Sequence, residues 1–372
     1  MESTSTARGR TKTRSAGEPD MQSPITAKAK QHGQKVISDD RLAELYGPIA
    51  DPLRRVEHRL QSELQSRYEL LNPLLRHGTQ LGGKRLRPAM LLLSGAAART
   101  ATAAETAPHD ATSDNLVVLG TVIEMVHTAT LIHDDVLDAA ATRRHVPTVN
   151  AKWNSDTSIL LGDYLFAQSF YLAATLGEPR ACRWVGEAAR RVCEGELRQV
   201  LCRDVIQLSE ESYIDIIRGK TAELCQVACR LGASYCGAGD DVVQALGRYG
   251  DAVGIAFQIA DDYLDLWGDE ATIGKTLGTD LQQGKATLPI IRLLSTAEAP
   301  EREKIIHVLS GPADQRLASL RPMLLRSDAR EYTRNVADEY RAVAMSAIDA
   351  LDDSAAKRSL IAIANFAVDR RF

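Results

Sequence analysis

The sequence predicts an all-α fold, a single large helical domain, and three observations point to it. Apolar residues recur at three- and four-residue spacing along most of the chain from Arg41 onward. Runs of alternating β-branched residues are scarce. Ala and Leu are abundant while aromatics are only 5%, a composition that leans helical. With 372 residues and 44% hydrophobic side chains, one domain can bury a sizeable core. No repeat of 20–50 residues divides it into smaller units.

Residues 1–38 are rich in Ser, Thr, Gly, Lys and Arg and poor in large apolar groups, which predicts a disordered tail. The tail is basic, at about +4, so the net charge of −4 leaves the body, residues 39–372, at about −8. A body this acidic argues against nucleic-acid binding. The tail has no apolar core of a secretory signal and too poor an amphipathic pattern for an organelle-targeting peptide. No stretch approaches ~18 uninterrupted apolar residues, so no transmembrane helix is expected. The six cysteines contain no CxxC pair, and no disulfide framework is indicated. Cys225 and Cys229, one turn apart, are expected as small buried hydrophobes. A cytoplasmic protein fits all of this.

The elements follow in order. Leu42, Leu45, Tyr46 and Ile49 keep helical spacing, and Pro48 and Pro52 mark a break. A helix over Leu53–Leu75 is ended by Pro73 and Gly78. Gly82-Gly83 is a turn, and Pro88 suits the first turn of a helix over Ala89–Arg99. Residues 101–114 look like a loop. Leu116–Leu137 is apolar almost all round, which predicts a helix buried in the middle of the molecule. Further helices are expected over Ser158–Leu176, Ala181–Cys202, Glu210–Tyr235, Asp240–Leu266 and Ala286–Leu294, with several more to Val368.

Two acidic motifs interrupt these apolar helices. Asp134-Asp135-x-x-Asp138 and Asp261-Asp262-x-x-Asp265 share one spacing and one kind of apolar lead-in. Residues four apart lie one turn apart on the same helix face. Carboxylates at a helix C-terminus meet the negative end of the dipole and each other, at roughly 0.3–1 kcal/mol apiece. A bound cation offsets that cost. Mg²⁺ suits best, because it takes one or two carboxylates and completes its shell with water and phosphate oxygens. One such motif alone is more often a solvated acidic helix end; two matched copies are not. No HExxH or Glu-x-x-His pattern indicates zinc or di-iron.

Basic groups cluster around the acidic ones. Gly82-Gly83-Lys84-Arg85-Leu86-Arg87-Pro88 sets three cations at a helix start, where backbone N–H groups favour anions. Arg143-Arg144 follow the first motif. Lys220-Thr221 sit in mid-helix, an odd place for a lysine with no anion to meet. Lys275 and Lys285 flank Asp280 in a Gly-rich stretch that does not match a Walker A loop. His127, two turns before Asp134 on the same face, is a candidate phosphate donor; His133 is less constrained.

Taken together these residues resemble the trans-polyprenyl diphosphate synthases, head-to-tail isoprenyl transferases. The likeness runs over about 80–290. It includes Gly-Gly-Lys84-Arg-Leu-Arg87-Pro, His127 through Asp138, Arg143-Arg144, Leu161-Gly-Asp163-Tyr-Leu, Glu194-Gly-Glu-Leu-Arg-Gln199, Lys220-Thr221, Phe257-Gln258-x-x-Asp261-Asp-Tyr-Leu-Asp265 and the Gly274–Pro289 stretch. His145 departs from it, standing where the family usually has Gly, which is expected to stiffen that loop.

The resemblance implies an isoprenoid-synthase fold around a central cavity, normally as a homodimer. It implies that Asp134, Asp135, Asp138, Asp261, Asp262 and Asp265 hold Mg²⁺. Arg143, Lys220, Thr221, Gln258, Lys275 and Lys285 would bind an allylic diphosphate, and Lys84, Arg87, His127 and Arg144 isopentenyl diphosphate. Asp134, Asp138, Asp261, Arg143 and Lys220 would carry catalysis. Product length would be set by Thr130, Ala129 and Val126, with a floor near Ala173, Trp184 and Val185. No aromatic stands at 129 or 130, which by analogy implies a medium- or long-chain product, about C30–C50 rather than a farnesyl or geranylgeranyl product. A terpene cyclase usually keeps only one such Asp motif. A non-catalytic subunit of a heteromeric synthase tends to lose a motif or the basic residues. A metal-binding helical scaffold would not need Lys84, Arg87 and Lys220 together.

Overall fold

The computed structural model describes residues 44–80, 83–101, 109–268 and 277–369. The expected basic tail lies outside them. After a 3-10 turn at Gly47–Ile49 come helices α1 (Ala50–Glu63), α2 (Asn72–Gln80), α3 (Leu86–Ala101) and α4 (His109–Leu137). A two-stranded hairpin, β1 (Thr142–Arg143) and β2 (Val146–Pro147), leads to α5 (Val149–Lys152), α6 (Ser155–Ala174), α7 (Pro179–Leu201) and α8 (Glu210–Ile217). A π-helical turn, Arg218–Ala222, joins α8 to α9 (Glu223–Tyr235). Then follow α10 (Asp240–Trp267), α11 (Thr279–Gln282), α12 (Leu288–Thr296), α13 (Ala299–Leu309), α14 (Arg316–Arg326), α15 (Ala329–Ala347) and α16 (Ala355–Val368).

The apolar character of α4 on all faces is explained by its position. It packs against α1, α3, α6 and α9, so its middle turns are buried on every side. Leu119, Ile123, Met125 and Ile132 are fully buried, each stabilising the fold by roughly 1.5–3 kcal/mol. The segment Ser113–Leu137 is long and apolar enough to cross a membrane, but 72% of its most apolar window is buried in this core. Two smaller cores complete the molecule. One joins Tyr213, Ile217, Ile255, Ile259 and Leu288 behind the second acidic motif. The other joins Leu281, Leu293, Ile305 and Leu320 under α12–α14.

Four expectations are corrected. The helix expected over Leu53–Leu75 is two helices, separated where Asn72 accepts a hydrogen bond from Ser66 N and returns one to Ser66 O. The loop expected over 101–114 is helical from His109. The helix expected over Glu210–Tyr235 is broken by the π turn. That turn sits where α7 crosses closest: a Cβ on Gly195 would lie 2.6 Å from Lys220 N. The hairpin at 142–147 carries no strand pattern in sequence. It is made by its turn, in which Arg144 and His145 both take positive φ, 51° and 64°.

Candidate active site

Helices α3, α4, α7 and α10, the hairpin and the π turn converge on a cavity of about 330 Å³. Its walls bring together Lys84, Arg87, His127, Thr130, Asp134, Arg143, Arg144, Lys220, Thr221, Gln258 and Asp261. These come from segments separated by up to 177 residues, so tertiary folding assembles the site. Lys275 lies outside the described residues.

Within the first motif the three carboxylates do different things. Asp134 faces the cavity. Burial raises its pKa, opposed by the Lys220 ammonium and reinforced by Asp138. Asp138 lies one turn on and accepts from Arg203 at 3.2 Å and Lys285 at 3.5 Å. Asp135 is buried and turned to Arg143, whose Nε and NH2 reach it at 3.0 and 2.9 Å. Burial raises the Asp135 pKa against the pull of that guanidinium.

The second motif divides in the same way. Asp261 lines the main cavity. Asp262 faces a smaller one of about 70 Å³ behind it, with Lys220 and Gln258 in the wall between the two. The buried Asp262 accepts from Tyr213 OH at 2.7 Å and Gln258 Nε2 at 2.8 Å. Burial, then the nearby Asp280, pushes its pKa well above the usual range. Gln258 in turn accepts from Thr221 Oγ1 at 2.8 Å, so one hydrogen-bond chain ties the π turn to the motif. Asp265 accepts the Thr279 and Asp280 backbone N–H groups at 3.1 and 3.2 Å, anchoring the start of α11.

The basic wall is built from α3, α4 and the hairpin. Arg87 NH1 meets His127 Nε2 at 3.1 Å. Arginine can only donate, so the neutral His127 carries its proton on Nδ1. Burial, then Arg87 and the other arginines, holds the His127 pKa well below its ordinary value. Arg87 Nε is buried without a hydrogen-bond partner, which is costly unless an anion arrives. Arg85 is otherwise engaged: it pairs with Glu57 at 2.7 Å and the buried Glu124 at 2.6 Å, and so fixes the start of α3 against α1 and α4. Lys84 Nζ lies 5.0 Å from the Phe366 ring of α16. The Arg144 guanidinium occupies the place a Cβ on Gly83 would take, so the glycine lets that side chain lie against the 83–87 segment.

His145 acts through its backbone: left-handed φ at a residue with a Cβ costs roughly 1 kcal/mol. His145→Gly is expected to raise stability by up to about 1 kcal/mol, read as a rise in the denaturation midpoint, because the turn keeps its shape and loses its strain.

Of the positions expected to set length, Thr130 lines the cavity, and its hydroxyl bonds back to His127 O at 2.8 Å. Val126, Ala129, Ala173 and Val185 are fully buried in the core. Trp184 has the Arg230 guanidinium over its ring at 4.3 Å.

Glu196 and Gln199, on one face of the last turns of α7, and Arg203, two residues past its end, carried no assigned role in the sequence. The i, i+3 spacing of Glu196 and Gln199 was the available signal. Glu196 lines the cavity, and all three touch site residues.

A cavity with carboxylates on one wall and arginines on another suits a polyanion held partly by cations. The model of the family described as polyprenyl synthetase matches residues 68–322. The chain belongs to the polyprenyl synthetase family. It is 36% identical over 313 residues to heptaprenyl diphosphate synthase component 2 of Geobacillus stearothermophilus, covering 84% of this chain and 93% of that one. It is 35% identical over 319 residues to nonaprenyl diphosphate synthase of Mycobacterium tuberculosis, covering 85% and 91%. The decaprenyl diphosphate synthase structure from Rhodobacter capsulatus superposes with a TM-score of 0.78 at 34% identity, covering 89% and 98%. Family membership makes the chain a prenyltransferase with the all-α isoprenoid-synthase fold.

Proposed function

We propose that this polyprenyl synthetase condenses isopentenyl diphosphate repeatedly, head to tail, onto an allylic diphosphate and stops at about C30–C50. The observation that carries the reading is the single cavity in which both acidic motifs, the π-turn lysine and the arginine wall meet. Relatives named heptaprenyl, octaprenyl and nonaprenyl synthases support the length, as does the absence of an aromatic side chain at Ala129 and Thr130; one relative, 32% identical, is named a short-chain isoprenyl diphosphate synthase.

The residues fit Mg²⁺. Asp134, Asp138 and Asp261 offer hard carboxylate oxygens, and the burial that raises the Asp134 pKa makes a counter-cation favourable. No three His, Cys, Asp or Glu side chains converge on one point among the described residues. An ion that draws much of its shell from water and phosphate does not require that. We assign Asp134, Asp138 and Asp261 as the principal holders, with Asp135, Asp262 and Asp265 orienting the two helix ends. When bound, Mg²⁺ supplies positive charge that stabilises the departing diphosphate.

Lys220, Thr221 and Gln258 receive the allylic diphosphate, with Arg143, Lys285 and Lys275 adding charge, and stabilise the negative charge that develops as the C–O bond breaks. Arg87, Arg144, Lys84 and His127 Nδ1–H hold isopentenyl diphosphate so that its π-bond meets the allylic cation. Thr130, Leu131 and Phe257 make the cavity wall apolar near the cation and limit access of water. The released diphosphate accepts the proton, so no dedicated side-chain base is needed.

All six cysteines are free thiols, which supports a reducing cytoplasm. The exposed outer face of α6, with Leu160 at 68% and Tyr171 at 65% exposure, supports burial against a second copy. The reading is tested by incubating the purified chain with labelled isopentenyl diphosphate and allylic primers. Chelation of Mg²⁺ is expected to abolish incorporation and its return to restore it. Metal-independent turnover would overturn the assignment of the acidic motifs.

A further inference from the structure

The closest anion to Lys220 belongs to neither acidic motif. Lys220 Nζ lies 2.5 Å from Glu196 Oε1 and 2.9 Å from Gln199 Oε1, while Asp134 Oδ2 is 3.9 Å away. Two of the three ammonium donors are thus taken by α7, in a site where both partners are little exposed (20% for Lys220, 17% for Glu196). The backbone cannot adjust this geometry. Gly195, immediately before Glu196, touches the π-turn backbone so closely that a Cβ would lie 2.6 Å from Lys220 N. The flexible four-carbon stem of the lysine can swing instead. The two hydrogen bonds from Lys220 satisfy a buried cation that would otherwise be costly. They also occupy the ammonium that an arriving diphosphate needs.

We propose that Glu196, supported by Gln199, is a stand-in for the substrate's diphosphate: it holds Lys220 while the site is empty, yields it when diphosphate binds, and reclaims it as diphosphate departs. This rests on the reading that Lys220 receives an allylic diphosphate. Glu196 is then a positioning residue that limits how tightly the diphosphate is held. An enzyme that must shed one diphosphate in every elongation cycle gains speed from such competition. Removing the charge makes the anion bind more tightly and leave more slowly, since unit charges a few ångströms apart in a partly buried site interact by several kcal/mol before screening.

The test is calorimetric titration of inorganic diphosphate, with Mg²⁺ present, into the full chain and its variants, paired with steady-state kinetics. Glu196→Gln keeps the shape and the acceptor oxygen. It is expected to lower the Kd for inorganic diphosphate on the order of tenfold, to lower the KM for the allylic substrate and kcat together, and to leave the KM for isopentenyl diphosphate unchanged. Glu196→Asp restores the charge and returns the Kd toward the wild-type value. Gln199→Glu adds a second competing charge and weakens diphosphate binding; it carries the test if Glu196→Gln does not fold. Unchanged or weaker diphosphate binding in Glu196→Gln overturns the proposal, as does a raised Mg²⁺ requirement, which would make Glu196 a metal-holding residue. A wild-type chain that binds no diphosphate and incorporates no isopentenyl diphosphate removes the functional reading itself. A wild type that binds normally while Glu196→Gln fails to tighten removes only this inference.

Discussion

Asp134→Ala is expected to lower kcat by about 10²–10³-fold, the usual consequence of removing one preorganised stabiliser of developing charge. Asp134 is the member of the first motif that faces the main cavity, and it is the motif residue nearest Lys220, at 3.9 Å. Asp261→Ala, across the cavity, is expected to cost a similar factor. The double variant should be little worse than either single one, because groups that act on one bound diphosphate fail together. Asp135→Asn should behave differently. Asp135 is buried against Arg143, so its loss frees the hairpin and lowers stability as well as rate. Measured kcat and denaturation midpoints for the four variants check this. Near-normal turnover in Asp134→Ala would refute the shared-site account.

Ala129→Phe is expected to shorten the product by several isoprene units, with the elongation steps before truncation keeping their rate. Ala129 is fully buried on the central helix among Val126, Ile132 and the core residues of α6 and α7. The added ring has no room without displacing neighbours, at about 1–3 kcal/mol of strain, and it fills the path a growing chain would follow beneath Thr130. Chromatographic sizing of the products reads the effect. A product distribution identical to wild type would remove Ala129 from that path. A lowered midpoint with unchanged products would make it a packing residue only.

Helix positions were legible because an amphipathic or apolar period states which face is buried before any partner is known. Leu116–Leu137 shows this best, since its lack of a polar face could only mean a central place, and α4 has it. The chemistry was legible for a related reason. Charges such as Asp134, Lys220 and Asp261 inside apolar helices are expensive without a partner, so their presence calls for one.

What stayed hidden depends on contacts between segments. Nothing local distinguishes Asp134 from Asp135; the Arg143 hairpin does, by taking Asp135 for itself. The π turn at Arg218–Ala222 follows from the crossing of Gly195, which lies more than twenty residues away. Composition alone does not separate Arg85 from Lys84 and Arg87 in the three-cation run; its pairing with Glu57 and Glu124 does. Glu196 reads as an ordinary charge on the polar face of α7, and only the position of Lys220 shows what it meets.

The most direct test of the account is one incubation of the purified chain alone with labelled isopentenyl diphosphate, Mg²⁺ and allylic primers from C5 to C20, followed by product sizing. The expected result is incorporation that ends at about C30–C50. A product that stops at C15 or C20 with isopentenyl diphosphate in excess would contradict the assigned length. No incorporation from any primer, with activity appearing only on addition of a second, different component, would contradict the claim that this one cavity carries the whole reaction.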